Sequence, residues 1–139
     1  MTIQLSVTVQ NAILDALEAA IGSSDNFLRI LTGAAPANCA AAQTGTLLAE
    51  ITLPSNWMAN ASANAKAMAG TWEDTSADAT GTAGYFRIVN VDPDTGTTCH
   101  FQGSVTVTGG GGDMEVTSIS FVAGQKFAVT EFTLTGPNS

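Results

Sequence analysis

Charged residues are scarce in this sequence of 139 residues, and cations are the scarcest of them. Charged side chains make up 12% of the chain, against about 25% in an average globular protein. Four Lys and Arg residues stand against twelve Asp and Glu, which gives a formal charge of −8. A nucleic-acid-binding face needs clustered Lys and Arg. The four cations are widely separated instead: Arg29, Lys66, Arg87 and Lys126. We therefore expect no nucleic-acid partner.

Long hydrophobic runs are also missing. No segment approaches the roughly 20 apolar residues of a membrane-spanning helix, so we expect no membrane partner. The first residues have neither the positive region nor the apolar stretch of a secretory signal, which predicts synthesis in the cytoplasm. Apolar residues nevertheless make up 45% of the chain, enough for a packed core. The length predicts a single domain over residues 1–139.

Residues that usually perform catalysis or hold metals are few. His100 is the only histidine, and it alternates with apolar residues along a predicted strand. Its neighbour Cys99 points to the opposite face of such a strand, which argues against a joint metal site. The other cysteine, Cys39, is far away in sequence; two free thiols are favoured, although a bridge stays open. No serine lies in a G-x-S-x-G elbow. We expect no enzymatic activity, no cofactor and no metal.

Acidic and glycine-rich turns do not add a site. Asp92 and Asp94 flank Pro93 just before Gly96, which is the chemistry of a hairpin turn. The further acidic ligand of a calcium-binding loop is missing at the expected offset. Gly109–Gly112 lacks the lysine and the following helix of a phosphate-binding loop, so the sequence predicts a mobile hairpin tip there.

Residues 6–21 have the period of an amphipathic helix. Ser6 is placed to cap its first turn, and Gly22 suits the position after its last turn. A helix this short depends on tertiary contacts, so we expect its apolar face to pack on the chain's own sheet or, alternatively, on a neighbouring subunit. The apolar face is formed by Val9, Ile13, Leu14, Leu17, Ala20 and Ile21. The opposite face carries Asn11, Asp15 and Glu18.

The period changes to two from Phe27 onward, which predicts β-strands. A reversal of phase near Thr130 and Glu131 predicts a β-bulge in the last strand. Gly103 interrupts an apolar face, as a bulge or a close backbone approach. The predicted strands cover residues 27–31, 47–53, 83–91, 99–107 and 126–134. Another short strand is predicted to begin at residues 71–72, and residues 114–116 and 119–121 fit two short strands or one bent strand. The fold class is mainly β: an antiparallel β-sandwich or jelly-roll-like barrel over residues 27–135 with one N-terminal amphipathic helix.

Two long loops, 34–46 and 54–70, are predicted between the strands. The stretches Ala34–Ala49 and Pro54–Ala65 contain no charged residue. Solvated surfaces normally interleave charges of both signs. We therefore expect partner chains to cover part of the surface; the alternative is a small soluble domain that its net charge keeps in solution.

A series of segments rich in Gly, Ala, Thr and Asp resembles small virion proteins of tailed bacteriophages and prophages, in particular capsid decoration (cement) proteins. With the N-terminal helix, the resemblance covers nearly the whole chain. The segments are Ala19–Gly22, Leu28–Pro36, Thr46–Glu50, Ser76–Ile88, Gln102–Val105, Gly111–Met114, Ser118–Ile119, Ala123–Gln125 and Val129–Thr135.

The resemblance implies a structural virion protein on the outer capsid surface. Such a protein stabilises the head through contacts with copies of itself, commonly as a trimer, and with the major capsid protein. The resemblance assigns no role to any single residue. From the apolar pattern, the candidate interface residues are Val9, Ile13, Leu17, Trp57, Met58, Met68 and Trp72.

Two other functions stay open at this point. One is a tail, fibre or connector component of the same particle. The other is a carbohydrate- or receptor-binding module, which exposure of Trp57, Trp72 and Tyr85 on one face would favour.

Overall fold

The computed structural model describes residues 3–90 and 99–137. One helix, α1 (Val7–Ile21), precedes ten strands in these residues. The strands are β1 (Phe27–Thr32), β2 (Leu47–Thr52), β3 (Ala65–Ala67), β4 (Trp72–Asp74), β5 (Gly81–Val89), β6 (Cys99–Val107), β7 (Met114–Val116), β8 (Ser120–Phe121), β9 (Phe127–Val129) and β10 (Thr133–Thr135). The prediction of a mainly β chain with one N-terminal helix is confirmed. The predicted turn at Asp92–Gly96 lies outside the described residues, as does Val91.

The central sheet has the strand order β2-β1-β5-β6-β7, and β8 pairs with the start of β5. All its pairs are antiparallel except β6 with β7, which run parallel. The sheet is therefore mixed and not purely antiparallel as predicted. The parallel pair arises because Gly109–Gly112 turns the chain back beside β6, with Gly109 and Gly111 at φ of 85° and 80°. Their amides donate to the Glu115 carboxylate at 3.0 Å each, so this segment is a hydrogen-bonded return instead of the predicted hairpin tip.

Two short strand pairs, β3 with β10 and β4 with β9, form the second layer of a β-sandwich-like arrangement. Aromatic side chains fill the space between the layers. Trp72 lies 5.8 Å from Phe132 between ring centroids, and Phe86 of the central sheet lies 5.6 Å from the same ring. Aromatic pairs at such separations contribute about 0.5–1.5 kcal/mol each beyond the burial of their apolar area.

The chain between residues 54 and 70 is not the loop that the sequence predicts. Met58 pairs with Met68 and Ser62 with Ala65, which makes this segment a β-hairpin that includes β3. Its two-residue turn places Ala63 and Asn64 at φ of 51° and 62°. The arms on either side of this Ala-Asn turn are rich in Ala and Asn and do not alternate between apolar and polar residues. The two-residue period that usually reveals a strand is therefore absent from the sequence.

The phase reversal near Thr130 and Glu131 is a break between strands and not the predicted bulge. Strand β9 pairs with β4, whereas β10 pairs with β3, so residues 130–132 carry the chain from one strand pair to the other. Of the two alternatives at Gly103, the close approach is confirmed. A Cβ there would lie 2.8 Å from the Asp113 Cβ and 2.9 Å from the Phe86 ring.

Loop 34–46 covers the face of the central sheet that is turned away from the core. Arg87, on β5, donates from its Nη2 to the carbonyls of Ala41 at 2.6 Å and Asn38 at 3.3 Å. Arg29, on β1, donates to Gln43 Oε1 at 3.0 Å. The loop needs no charged residue of its own because its backbone carbonyls and one amide accept these bonds.

Candidate contact surface

Helix α1 begins and ends as its sequence predicts. The Ser6 hydroxyl accepts a hydrogen bond from the Val9 amide at 3.3 Å, and Gly22 has a φ of 93°, which side chains rarely allow. The rotation of the helix about its axis, however, differs from the expectation.

The polar face of α1 is turned toward the β domain. Asn11 Oδ1 accepts from the amide of Asn64 at 2.9 Å. Asp15 Oδ1 accepts from the amide of Ala61, also at 2.9 Å. The side-chain amide of Gln10 donates to the Pro137 carbonyl at 3.0 Å. These bonds tie the helix to the hairpin turn and to the C-terminal segment, so its rotation is fixed by polar contacts.

Lys66 lies at the centre of this contact and is only 1% exposed. Its Nζ is 2.7 Å from Asp15 Oδ1, 2.8 Å from Glu18 Oε2 and 2.8 Å from the Ala59 carbonyl. Three acceptors match the three donors of an ammonium group, which is how a buried charge is tolerated. The hydrogen bond from Lys66, with that from the Ala61 amide, lowers the pKa of Asp15. Burial alone would lower the pKa of Lys66, but both carboxylates together outweigh it and raise that pKa.

The apolar face predicted from the sequence is divided between inside and outside. Leu14 is buried, Ile21 packs against the core, and Leu17 is half-buried. Val9 and Ile13 remain 46% and 44% exposed. The prediction that one apolar face packs as a unit is therefore corrected, because hydrogen-bonding residues take most of the inward positions.

The outward half of α1 carries no charge. We call its central row, Val9, Ile13, Ala16 and Ala20, the outward stripe; all four are exposed. Ala12 and Ala19 beside them are exposed as well. Four of the six large hydrophobic residues exposed in the described part of the chain lie at or near this helix: Ile3, Val7, Val9 and Ile13.

The exposed surface of the described residues is acidic because the fold buries most of the cations. Arg29, Lys66 and Arg87 are each at most 2% exposed. Lys126 is 61% exposed and pairs with Glu73 at 2.9 Å. Among the residues that the structure describes, it is thus the single exposed Lys or Arg. The surface repels anions more strongly than the composition alone indicates.

The remaining candidate interface residues lie in the chain's own core. Trp57, Met58 and Trp72 are buried, and Met68 packs against them. The indole of Trp57 donates to the Gly22 carbonyl at 3.1 Å, which joins the end of the helix to the core. Tyr85 is also buried, so the exposed aromatic face that would favour a carbohydrate-binding module is not formed.

Groups with catalytic potential are not brought together in the described residues. His100 is partly buried, which lowers its pKa. In residues 3–90 and 99–137 no three His, Cys, Asp or Glu side chains are arranged to hold a metal ion. A cleft of about 360 Å³ between β6 and β10 contains Asp113, but that carboxylate already accepts from the Ser104 amide and hydroxyl at 2.8 Å each.

Sequence reasoning missed two members of the contact region, Ala16 and Lys66. Both have a signal in the sequence. Residues 9, 13, 16 and 20 follow each other at intervals of four, three and four, and Lys66 is the one cation between Pro54 and Thr71. A lone cation in an uncharged segment indicates a buried pair better than a solvated side chain.

No protein-family model matches the chain, and no curated protein or solved structure is significantly similar to it. Helix α1, the one helix in the described residues, is too short and too polar to span a membrane.

Proposed function

We propose that this chain is a structural protein that acts by surface contact, as a decoration protein on the head of a tailed bacteriophage. In this role it binds copies of itself and the major capsid protein on the outer capsid surface. The observation that carries the proposal is the outward stripe: a row of uncharged apolar residues on α1 that the chain's own fold leaves exposed, while polar residues make most of the contacts of the helix with the β domain.

An ordinary surface helix turns its apolar side to the core, whereas α1 buries Leu14 and leaves Val9 and Ile13 exposed. Val9 and Ile13 keep nearly half of their surface in water. Burying this exposed part against a partner contributes about 1 kcal/mol per side chain, at roughly 25 cal/mol per Å² of apolar surface. The polar contacts of Lys66 and Asn64 hold the stripe in place before a partner arrives, which lowers the ordering cost of binding.

The distribution of charge supports an exterior position. With three of four cations buried, the exposed surface has almost nothing to offer a phosphate backbone. An acidic exterior favours a site away from packaged DNA. The setting of a phage head comes from the sequence resemblance, and the acidic surface agrees with it.

Purified particles provide the test. We expect mass spectrometry to find the chain in a fixed, high ratio to the major capsid protein, and cryo-electron microscopy to place it on the outer capsid surface. A low copy number at a vertex or on the tail would support a tail, fibre or connector component instead. Absence from particles would refute both virion functions.

A variant pair tests the contact surface in the same system. Ile13→Glu places a carboxylate in the outward stripe, whereas Val122→Glu places one at an exposed valine on the β8 side of the chain. We expect undecorated heads to lose binding of the first variant and to retain the second. Equal binding of both would contradict a role for the stripe.

A further inference from the structure

We propose that the outward stripe of one copy packs against the outward stripe of a second copy, so that α1 is the self-association element of the protein. This inference deepens the proposed function and rests on its contact role, because it assigns one occupant, the same helix of another chain, to a surface that the proposal leaves general.

The spacing of the stripe is that of a helix that packs on another helix. Val9, Ile13, Ala16 and Ala20 recur at intervals of four, three and four residues, as the d and a positions of a heptad do. At 100° per residue these four side chains fall within an arc of about 60°. Ala16 and Ala20 at one end allow the helix axes to approach closely, while Val9 and Ile13 supply the larger contacts at the other.

Residues 3–90 and 99–137 supply no second helix to cover the stripe. The described residues contain one helix, and its inner face is occupied by Asn64, Lys66 and Pro137. Turning α1 to bury the stripe within the chain would break those bonds and leave Lys66 without its carboxylates. The rotation of α1 that brings Asp15 and Glu18 to Lys66 therefore also exposes the outward stripe.

The charges around the stripe favour an identical partner. The positions that flank a heptad seam are here Gln10 and Leu17 on one side and Ala12 and Ala19 on the other, and none is charged. A basic partner finds no carboxylate at these positions to pair with. A second copy meets no like charge there, although it is repelled from the acidic surface elsewhere.

The size of the contact predicts its strength. A helix of 15 residues is about 22 Å long, and one face of it buries less than the roughly 800 Å² per partner of a standard interface. Association of the free protein is therefore expected in the range of about 10 µM to 1 mM. Because each copy carries a formal charge of −8, raising the salt concentration strengthens the association by screening the repulsion.

Sedimentation velocity of the full chain tests the inference. Between about 10 µM and 1 mM protein, we expect the average mass to rise from the monomer value of 14.1 kDa toward that of a dimer or trimer. The rise should begin at lower protein concentrations in about 0.5 M salt than in about 0.15 M salt. Ile13→Glu buries a charge at the seam and should weaken association at least about tenfold. Ile13→Lys should do the same although it reduces the net charge, and Val122→Glu should leave association within about twofold.

A monomer at every concentration and salt condition would overturn the inference, as would equal effects of Ile13→Glu and Val122→Glu. Circular dichroism of each variant verifies that it folds. Substitutions at exposed positions should not disturb the fold. Failure here is distinguishable from failure of the proposed function. Free protein that stays monomeric but binds heads refutes self-pairing alone; protein that pairs but never binds heads refutes the decoration role alone.

Discussion

Loop 34–46 and helix α1 both cover the β domain, and buried cations hold both, but with different acceptors. Arg87 holds the loop through the carbonyls of Ala41 and Asn38. Lys66 holds the helix through the carboxylates of Asp15 and Glu18. The helix contact includes the carboxylate of Asp15, which loses its charge in acid, so acid is expected to weaken this contact directly.

The two covers also differ in what they leave outside. The loop contributes backbone and small side chains, and it closes the outer face of the sheet. The helix is attached largely by its polar residues, and Val9 and Ile13 face solvent although Leu14 is buried. The comparison shows that an apolar contact surface can be displayed stably when polar contacts supply the attachment.

Removing the cation under the loop should produce the largest change in stability. Arg87→Met deletes the hydrogen bonds to Ala41, Asn38 and Gln102, and bonds to charged groups contribute about 1.5–3 kcal/mol each. We expect the free energy of unfolding to fall by at least about 4 kcal/mol in urea denaturation, with faster proteolysis within residues 34–46.

The exposed cation provides the control for that change. Lys126→Met removes a pair that lies in solvent at 2.9 Å from Glu73, and such pairs contribute at most about 1 kcal/mol. A loss of stability as large as that of Arg87→Met would contradict the assignment of Arg87 as the residue that holds the loop.

Removing the cation under the helix should have a smaller and more local effect. Lys66→Met leaves Asp15 and Glu18 without their partner, but Asp15 is 46% exposed and regains water. We expect a loss of about 2 kcal/mol, below the roughly 3–5 kcal/mol of a fully buried pair. Hydrogen exchange should accelerate in α1 before it does in β1 or β5; uniform acceleration would show that the helix is not a separate unit.

Acid should loosen the contact of the helix with the β domain. The folded-state pKa of Asp15 lies below its ordinary 3.8. Its contribution to stability is therefore complete above pH 3.8 and is lost as the pH falls through the folded-state value. The indole proton of Trp57, bonded to Gly22 at the helix end, provides an NMR probe of the contact below about pH 4.

Asp15→Asn separates this effect from general acid unfolding. The amide retains an acceptor for Ala61 but no charge for Lys66, so the part of the pH dependence due to Asp15 should disappear. An unchanged acid transition of the Trp57 signal would contradict the assignment.

The smallest expected effect concerns the hairpin turn that the helix contacts. Ala63 has a φ of 51°, which costs a residue with a Cβ about 1–2 kcal/mol. Ala63→Gly removes that cost. Glycine also gives the unfolded chain more conformational entropy, which offsets part of the gain, so we expect a net stabilisation of about 0.5–1 kcal/mol. Thermal unfolding measures it; destabilisation would show that the turn does not require a left-handed residue.

The fold class could be predicted from local sequence patterns, whereas the residues that α1 exposes could not. The helix followed from its apolar period with caps at Ser6 and Gly22, and β2, β5 and β6 followed from alternation. The hairpin at residues 58–68 was invisible because its Ala- and Asn-rich arms do not alternate. Its strand exists because tertiary partners, Asn11 and β10, complete its hydrogen bonds.

The orientation of α1 could not be read from its own sequence either. Hydrophobicity alone turns the apolar residues inward. The rotation of the helix is decided by Lys66, which follows Glu18 by 48 residues in the sequence. Its buried ammonium group requires the carboxylates of Asp15 and Glu18. Pairing across such a separation leaves no local pattern, so the division of the apolar face appears only in three dimensions.

The orientation of α1 is the central claim, and methyl NMR with a soluble paramagnetic probe tests it most directly. In dilute protein, we predict that the probe broadens the methyl signals of Val9 and Ile13 and leaves those of Leu14 sharp, because Leu14 is 5% exposed. Broadened Leu14 signals beside protected Val9 and Ile13 would show that the helix buries its apolar side, and would contradict the account.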